Sequence, residues 1–357
     1  MAVSVMLKPS SSACNLKCKY CFYSNVSSER AEFFKGMMSD ETAENVISKA
    51  LSFADSSQVY FTFQGGEPLL RGVDFFKRFV SKVKALNIKN SPVTLCVQTN
   101  GTLIDDEWCR FFKDNNVLVG VSLDGDEKLN SYRVYPDGKN SFDDIMRGIS
   151  LLDKYSINYN ILSVLTSRLA QNVRRSYRFF KQHGFHYLQY IPCLKPFDCD
   201  DDEYAMSVDD YASYLKSCYK IYFNDNMRGN IVSIRQFDNY ALLASGKNAE
   251  QCGMNGPCSI QFVVEGDGSV YPCDFYCTDE WLLGNINEND FNELFNSKLS
   301  VTFLKDSFKI GDDCKKCDYF TLCRGGGCKR NRQNADYCKA YKDFFASSYN
   351  MILQMSR

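Results

Sequence analysis

The stretch Cys14-Asn15-Leu16-Lys17-Cys18-Lys19-Tyr20-Cys21-Phe22-Tyr23 follows a short apolar run, and the rest of the chain is organised around it. Its thiols have the spacing C-x3-C-x2-C. A four-iron, four-sulfur cubane normally takes four cysteine ligands, so three thiolates leave one iron without a protein ligand. An iron with a vacant position can bind and activate a small molecule. The triplet therefore predicts a reactive iron–sulfur cluster close to the start of the chain.

Simple packing and structural zinc are the two other interpretations of the triplet. Cysteine is among the most buried residue types, and paired C-x2-C spacings commonly bind zinc. Neither interpretation requires a C-x3-C-x2-C triplet near the N-terminus. The motifs that follow also favour the cluster.

Composition limits the classes of function. At 357 residues, the chain is long enough for one large domain and a smaller one. A formal net charge of -1 provides no electrostatic attraction for nucleic acid or for an anionic membrane. We therefore expect neither of these partners, and expect a peptide, a protein or a small molecule instead.

The 17 cysteines indicate a reducing compartment. An odd count fits a closed disulfide framework poorly, and the apolar run at residues 2–7 is too short for a secretory signal. No apolar stretch approaches the ~20 residues that a membrane helix needs. We therefore expect a cytoplasmic location, where thiols stay reduced and bind metal.

Short β-rich runs alternate with amphipathic helical stretches up to about residue 194, which predicts an α/β fold with a parallel sheet. The predicted strands are residues 3–8, 58–63, 93–99, 118–123, 158–165 and 187–192. The predicted helices are residues 40–54, 73–87, 105–115, 141–155 and 171–183. Ser141 and Asp144 have the spacing of a capping box at the start of the fourth helix. Six β/α units favour a partial (β/α)6 barrel over the closed eight-stranded form.

The remainder of the chain has a different character. Residues 208–224 predict one aromatic-rich helix, and from about residue 233 the chain is rich in glycine, cysteine and turn residues. A small module without a large core is often stabilised by its metal sites. We therefore expect two domains, a partial barrel at residues 1–232 and a cysteine-rich domain at residues 233–357.

Polar and glycine-rich segments follow the second, third and fourth predicted strands. These segments are residues 64–68, 98–101 and 122–125. In parallel α/β barrels, the carboxyl ends of the strands carry the chemistry. We therefore expect these segments to meet the cysteine triplet in a single site.

The triplet, with an aromatic residue after its last cysteine, resembles the signature of the radical S-adenosylmethionine (SAM) superfamily. The resemblance implies that Cys14, Cys18 and Cys21 hold a cluster whose open iron chelates SAM. Reductive cleavage of SAM would then give a 5'-deoxyadenosyl radical, so the cofactor carries the radical chemistry.

The same resemblance assigns the SAM-binding residues. Gly65 and Gly66 would allow the backbone to approach SAM closely, and the Glu67 carboxylate would accept from its amino group. Alone, the string Gly-Gly-Glu-Pro is also compatible with a turn before a helix that has proline near its first position, but its place one β/α unit after the triplet favours SAM binding. The remaining SAM-binding candidates, for the ribose or the carboxylate, are Asn100, Ser122 and Arg133. The segment before Arg133 departs from the pattern of many relatives, because Asp126, Asn130 and Ser131 stand where those have proline and a His-Asp pair.

The later cysteines resemble the SPASM extension of this superfamily, which in its full form binds two auxiliary four-iron clusters. The resemblance implies that the first auxiliary cluster is held by Cys252, Cys258, Cys273 and Cys328. It implies that the second is held by Cys314, Cys317, Cys323 and Cys338. Zinc at one or both sites is the alternative, and Cys277 is close enough to Cys273 in sequence to replace a ligand. We expect the other cysteines to pack in the core.

Longer strings resemble the anaerobic sulfatase-maturating enzymes, which oxidise a Cys or Ser of a sulfatase to formylglycine. The matching strings are FQGGEP at residues 63–68, LQYIPCL at residues 188–194 and FVVEGDGSVYPCDFY at residues 262–276. The resemblance implies that Asp274 is the catalytic proton acceptor and that Tyr23 and Gln64 contact the substrate peptide. It also implies an unfolded or nascent sulfatase as substrate and an electron donor such as flavodoxin or ferredoxin.

Two other functions remain open at the level of sequence. A radical SAM maturase of a ribosomally synthesised peptide, which forms a thioether or other crosslink or inverts a stereocentre, would carry similar cluster motifs. A non-enzymatic electron-transfer protein would give no reason for an open iron beside Gly-Gly-Glu-Pro. Asp274 could also be a structural residue that caps a turn.

Overall fold

The predicted alternation of strands and helices is present in the computed structural model of the chain, which describes residues 2–197, 199, 202–334 and 337–356. The strands in these residues are β1 (Val3–Leu7), β2 (Val59–Phe63), β3 (Val93–Thr99), β4 (Leu118–Ser122), β5 (Tyr159–Leu165), β6 (Tyr187–Pro192), β7 (Ser233–Ile234), β8 (Val263–Val264), β9 (Ser269–Tyr271) and β10 (Gly284–Asn285). The helices are α1 (Phe22–Ser28), α2 (Asp40–Ala54), α3 (Val73–Leu86), α4 (Asp106–Asp114), α5 (Phe142–Lys154), α6 (Ser167–Gln171), α7 (Val173–Gln182), α8 (Val208–Met227), α9 (Arg235–Ala244), α10 (Phe291–Asn296), α11 (Lys298–Ser307), α12 (Asp312–Lys315), α13 (Phe320–Cys323), α14 (Lys329–Asn334) and α15 (Cys338–Met355). Short 3-10 helices lie at Pro68–Arg71, Leu129–Tyr132, Asp274–Tyr276 and Asp279–Trp281.

The six predicted strands are all confirmed, with ends that differ by at most one residue. The predicted helix at residues 171–183 was wrong in its extent. The structure has two helices there, α6 and α7, and Asn172 between them has a φ of -115° and a ψ of 18°.

The predicted capping box at the start of α5 was also wrong. The Ser141 side chain makes no capping bond to α5, and its hydroxyl points to the Arg133 carbonyl, to which it donates at 2.8 Å. The Asp144 carboxylate instead accepts from the Tyr135 hydroxyl at 2.9 Å. The first bond closes the loop before α5, and the second attaches that loop to the first turn of the helix.

Contacts divide the chain into two compact units. The first consists of Met1–Ser122, Ser131–Tyr159 and Ile260–Thr302. Its strands follow the order β10-β9-β8-β1-β2-β3-β4, in which β1 to β4 are parallel to one another. Strand β8 pairs with β1 in parallel, through Met6 and Val263, and β9 is antiparallel to β8. The boundary at residue 232 stays a prediction, since contact units and sequence domains are different divisions of a chain.

The core of the first unit is a layer of aromatic and aliphatic side chains between its helices and its strands. Phe61 and Phe63 of β2 contact Phe79 of α3 edge to face, with ring centroids 5.2 and 5.0 Å apart. Such pairs contribute about 0.5–1.5 kcal/mol beyond the burial of their area. This packing holds the carboxyl ends of β1 to β4 in a fixed arrangement.

The second unit consists of Leu123–Asn130, Asn160–Ser259 and Phe303–Arg357. In it, β5, β6 and β7 pair in parallel. Helix α8 starts at a capping box of Ser207 and Asp210 and buries a row of tyrosines. Among them, Tyr219 contacts Phe344 of α15 edge to face at 5.3 Å. No helix of the described residues has both the length and the apolar composition needed to cross a membrane.

Candidate active site

The cysteine triplet lies in the loop between β1 and α1, and α1 begins directly after Cys21. All three thiols are partly buried. The backbone N–H of Leu16 donates to the Cys14 sulfur at 3.3 Å, and the N–H of Cys21 donates to the Cys18 carbonyl at 3.2 Å. Donors aimed at sulfur favour the thiolate form, which is the form that binds iron.

The glycine-rich segment after β2 docks directly on this loop. The N–H of Gly66 donates to the Ser11 carbonyl at 2.9 Å, and the N–H of Glu67 donates to the Ala13 carbonyl at 2.8 Å. A Cβ at position 66 would lie 2.1 Å from the Ala13 oxygen, and Gly65 has a φ of +114°. The close approach of the two loops therefore requires both glycines, independently of any contact with SAM.

Glu67 is buried and its carboxylate holds the neighbouring segments together. Its Oε1 accepts from the Thr99 hydroxyl at 2.8 Å and from the Leu69 N–H at 3.0 Å, and its Oε2 accepts from the Asn100 N–H at 2.7 Å. Burial raises the pKa of Glu67 to about 7, although these three donors act in the opposite direction. A carboxylate accepts about four hydrogen bonds, so Oε2 keeps room for one more donor, such as an ammonium group.

Asn100 connects the end of β3 to the cysteine loop. Its Nδ2 donates to Asn15 Oδ1 at 2.8 Å and lies 3.8 Å from the Cys14 sulfur. Its Oδ1 accepts from the Thr102 N–H at 3.0 Å and from the Thr102 hydroxyl at 2.7 Å. Burial, followed by the charge of Glu67, raises the pKa of the Cys14 thiol to about 12, so ligation of iron there must release a proton.

The two remaining SAM-binding candidates also lie in the first unit. The Ser122 hydroxyl accepts from Gln98 Nε2 at 3.2 Å. The Arg133 guanidinium lies over the Tyr20 ring, 5.5 Å from its centroid. Burial raises the pKa of the Cys21 thiol, and Arg133 is among the groups that oppose this rise. Two of the three strand-end segments, residues 64–68 and 98–101, thus meet the cysteine loop as expected. The meeting of residues 122–125 with that loop, and the contacts of these side chains with SAM, stay predictions.

Asp274 lies in the 3-10 helix after β9 and is bound on both carboxylate oxygens. Its Oδ2 accepts from the Tyr23 hydroxyl at 2.8 Å, and its Oδ1 lies 3.0 Å from the Lys8 ammonium. The Tyr23 oxygen in turn accepts from Gln64 Nε2. The structure therefore brings together the three residues that the sequence assigned to proton transfer and substrate contact.

Four further residues around Asp274 were not predicted from the sequence. Together with Asp274 they form what we call the buried charge cluster. They are Lys8, Arg30, Glu265 and Cys277. A weak signal for two of them exists in the sequence. Lys8 is a charged residue directly after an apolar strand, and Glu265 directly follows the buried pair of β8. Both positions are carboxyl ends of strands, where functional side chains concentrate in parallel sheets.

Four predicted ligands of the second auxiliary cluster line one cavity of the second unit, with about 370 Å³ of empty space. These are Cys314, Cys317, Cys323 and Cys338. Four thiols around one cavity fit the donor set of a four-iron cubane.

Three predicted ligands of the first auxiliary cluster are also close together in the second unit. Burial and the nearby Cys328 and Cys258 thiols raise the pKa of Cys252 to about 11. A Cβ on Gly253 would lie 2.5 Å from Cys328 Cβ, so the loop after Cys252 packs tightly there. Cys273 belongs to the first unit, and its grouping with these three stays a prediction.

The described residues contain no group of three or more His, Cys, Asp or Glu side chains that could hold a single metal ion. A cubane does not need such a point of convergence, because each of its cysteines binds a different iron. The loop with Cys14 and the four-thiol cavity both offer thiols to a cluster of this kind.

Two regions of the chain match the models of known sequence families. Residues 9–174 match the Radical SAM superfamily, and residues 258–318 match SPASM, the iron–sulfur cluster-binding domain. The chain is 41% identical to the cysteine-type anaerobic sulfatase-maturating enzyme of Clostridium perfringens (strain 13 / Type A), over 99% of this chain and 98% of that one. It is 32% identical to the serine-type enzyme of Bacteroides thetaiotaomicron, over 96% of this chain and 88% of that one.

The fold matches a solved structure of native anSMEcpe with bound AdoMet (SAM) and the Cp18Cys peptide. The TM-score is 0.94 at 40% identity, over 100% of this chain and 99% of that one. Together these similarities confirm the predicted fold class, a partial barrel of the radical SAM type followed by a SPASM domain. They also confirm SAM and iron–sulfur clusters as the cofactors.

The contact between the glycine segment and the cysteine loop gives one prediction. In Gly66→Ala, the new methyl group meets the Ala13 carbonyl, so the two loops must separate. We expect a loss of about 1–3 kcal/mol in the free energy of unfolding, as for other overpacked sites. We also expect weaker SAM binding and less iron in the cluster of the triplet, measured by iron analysis and SAM titration.

Gly138→Ala is the control for this change, because position 138 has a left-handed φ of +87° but nothing within 4 Å of an added Cβ. It should lose some stability through strain and keep its iron. Equal iron in wild type and in Gly66→Ala would show that the contact of the two loops is not needed for the cluster.

The ligand assignment gives a second prediction, about Cys277. This thiol is fully buried and accepts from the Lys8 ammonium at 3.3 Å, so it already has a role in the buried charge cluster. We expect Cys277→Ala to keep the iron content of wild type, about twelve irons if three cubanes form. Cys323→Ala, in the four-thiol cavity, should lose about four irons. A loss of about four irons from Cys277→Ala would instead make Cys277 a ligand.

Proposed function

This chain belongs to the anaerobic sulfatase-maturating enzymes of the radical SAM superfamily, and we propose that it oxidises a cysteine side chain of a sulfatase polypeptide to formylglycine, with Asp274 as the proton acceptor. The observation that carries the proposal is the Asp274 carboxylate itself, which is held between Tyr23 and Lys8. That carboxylate lies in the same compact unit as the cysteine triplet and the SAM-binding candidates.

The reaction removes two electrons and two hydrogens from the substrate side chain. A –CH2–SH group loses a hydrogen atom from Cβ, a proton from sulfur and one further electron, which leaves a –CH=S group. Addition of water and loss of hydrogen sulfide then give the aldehyde of formylglycine. When bound, the cofactors supply a 5'-deoxyadenosyl radical that takes the hydrogen atom and an auxiliary cluster that takes the electron.

Asp274 supplies the remaining step, removal of the proton. Tyr23 donates to Oδ2 of the carboxylate, and an oxygen that accepts one hydrogen bond keeps a lone pair for the proton of the substrate. A positioned carboxylate of this kind contributes about 10²–10⁴-fold to the rate. Gln64 fixes the Tyr23 oxygen by donating to it. We propose that both side chains contact the substrate peptide.

Cysteine is proposed ahead of serine because of the relatives. Identity reaches 41% with a cysteine-type enzyme and 32% with a serine-type enzyme, each over nearly the whole chain. The peptide in the solved relative, named Cp18Cys, also supports a cysteine peptide as substrate. We further propose a cytoplasmic site of action on an unfolded or nascent sulfatase, with flavodoxin or ferredoxin as electron donor.

Substrate choice is tested with two peptides that share the sequence of a sulfatase segment and differ only by Cys or Ser at the modified position. With reconstituted enzyme, SAM and dithionite, we expect mass spectrometry to show conversion of the cysteine peptide at least about tenfold faster, equivalent to about 1.4 kcal/mol in activation free energy. An equal or faster rate with the serine peptide would reverse the assignment. If SAM is cleaved but neither peptide changes, the substrate is of another kind.

The role of Asp274 is tested by Asp274→Asn. The amide keeps the size of the side chain but cannot take the proton, so we expect formylglycine formation to fall by about 10² or more. Formation of 5'-deoxyadenosine, measured by chromatography, should remain. Asp267→Asn is the matched control, since Asp267 is a partly exposed carboxylate paired with Lys35. Full conversion by Asp274→Asn would remove Asp274 from the mechanism.

A further inference from the structure

The Lys8 ammonium is a buried cation beside the proposed proton acceptor, and none of the chemical steps above uses it. It lies at the carboxyl end of β1 with 3% of its side chain exposed. Its Nζ is 3.0 Å from Asp274 Oδ1, 3.3 Å from the Cys277 sulfur and 3.5 Å from Glu265 Oε1. The Tyr23 ring covers it at 5.1 Å from the centroid.

Charge balance at Glu265 does not explain this cation. Arg30 Nη1 already pairs with Glu265 Oε1 at 2.6 Å, and both of those side chains are 1% exposed. Lys8 is farther from Glu265 than from Asp274, by 3.5 Å against 3.0 Å. Its nearest anion is therefore Asp274.

The groups around Lys8 keep it charged and fixed. Burial alone would lower its pKa, but Asp274, Cys277 and Glu265 together raise the pKa of Lys8 above its ordinary value. A buried ammonium in this setting is a permanent donor with little freedom to move.

We propose that Lys8 is a positioning residue for formylglycine formation, which holds the Asp274 carboxylate through Oδ1 while Tyr23 holds it through Oδ2. Arg30 and Glu265 anchor Lys8 in turn. With both oxygens bound from the protein side, the carboxylate cannot rotate away from the substrate. A misplacement of about 1 Å at a reacting group costs about 10²-fold in rate, so this restraint contributes directly to turnover. The inference rests on the proposed function of Asp274.

The test compares Lys8→Met and Lys8→Gln, which remove the charge, with Lys8→Arg, which keeps it. Lys35→Met is the matched control, because Lys35 pairs with Asp267 at 3.3 Å and does not touch the buried charge cluster. Each holoenzyme is measured for iron content, peptide affinity without reductant, and the kcat and KM of conversion of the cysteine peptide. The ratio of 5'-deoxyadenosine to formylglycine is measured in the same reactions.

We expect both neutral variants to keep their iron and peptide affinity while the kcat of formylglycine formation falls by about 10²-fold. KM should change by less than about threefold, because the lost restraint acts on the reaction and not on binding. The ratio of 5'-deoxyadenosine to formylglycine should rise in the neutral variants. Lys8→Arg should be at least about tenfold faster than the neutral variants, and Lys35→Met should match wild type.

Three results would overturn the proposal. One is a neutral variant whose kcat and product ratio equal those of wild type. Another is loss of iron in both neutral variants, or a fall in SAM cleavage as large as the fall in peptide conversion. In either case Lys8 would be structural. The third is failure of Lys8→Arg to recover any rate. Failure of the proposed function gives a different result from failure of the role of Lys8, because wild type itself would then cleave SAM and leave the peptide unchanged. The proposed role of Lys8 would then also be wrong.

Discussion

The site depends on the position of β1, which pairs in parallel with β2 on one side and with β8 on the other. The carboxyl end of β1 leads through Lys8 into the cysteine loop. The carboxyl end of β2 leads into the glycine segment, and the carboxyl end of β8 leads into Glu265, which lies 3.5 Å from the Lys8 ammonium. Because parallel strands end at the same edge, these two pairings bring together the cysteine triplet, the glycine segment and the Lys8–Glu265 pair. Asp274 joins them through its ion pair with Lys8.

Buried charge imposes a second constraint on the same region. Lys8, Arg30, Glu265 and Asp274 supply two cations and two anions from distant parts of the sequence. Removing one partner of such a group leaves an uncompensated charge and costs about 3–5 kcal/mol, whereas an intact group is close to neutral for stability. The arrangement is therefore better explained by the orientation that it gives to Asp274 than by any gain in stability.

The six predicted strands, and the contact of the segments after β2 and β3 with the cysteine loop, could be predicted from the sequence, because alternation and strand-end polarity are local patterns. The partners of Lys8 could not, since the pairing of β8 with β1 joins segments that are far apart in the chain and too short to show a pattern. The capping box at Ser141 failed because the hydroxyl is directed towards the Arg133 carbonyl, to which it donates, and not towards the start of the helix. The glycines at positions 65 and 66 were found from the sequence, but the close loop contact that requires them was not.

Asp274 directly follows Cys273, and this adjacency links the two acceptors of the proposed oxidation. In the proposed assignment, Cys273 binds an auxiliary cluster that takes the electron, while the next side chain takes the proton. The 3-10 helix at Asp274–Tyr276 begins immediately after Cys273, so the backbone turns between the two side chains. Tyr23 and Lys8 then fix the carboxylate from β1 and α1, which also flank the cysteine triplet. In the proposed mechanism, one short segment would therefore carry both the ligand of the electron-accepting cluster and the proton acceptor. Residues that flank the cysteine triplet hold the carboxylate of that segment in place.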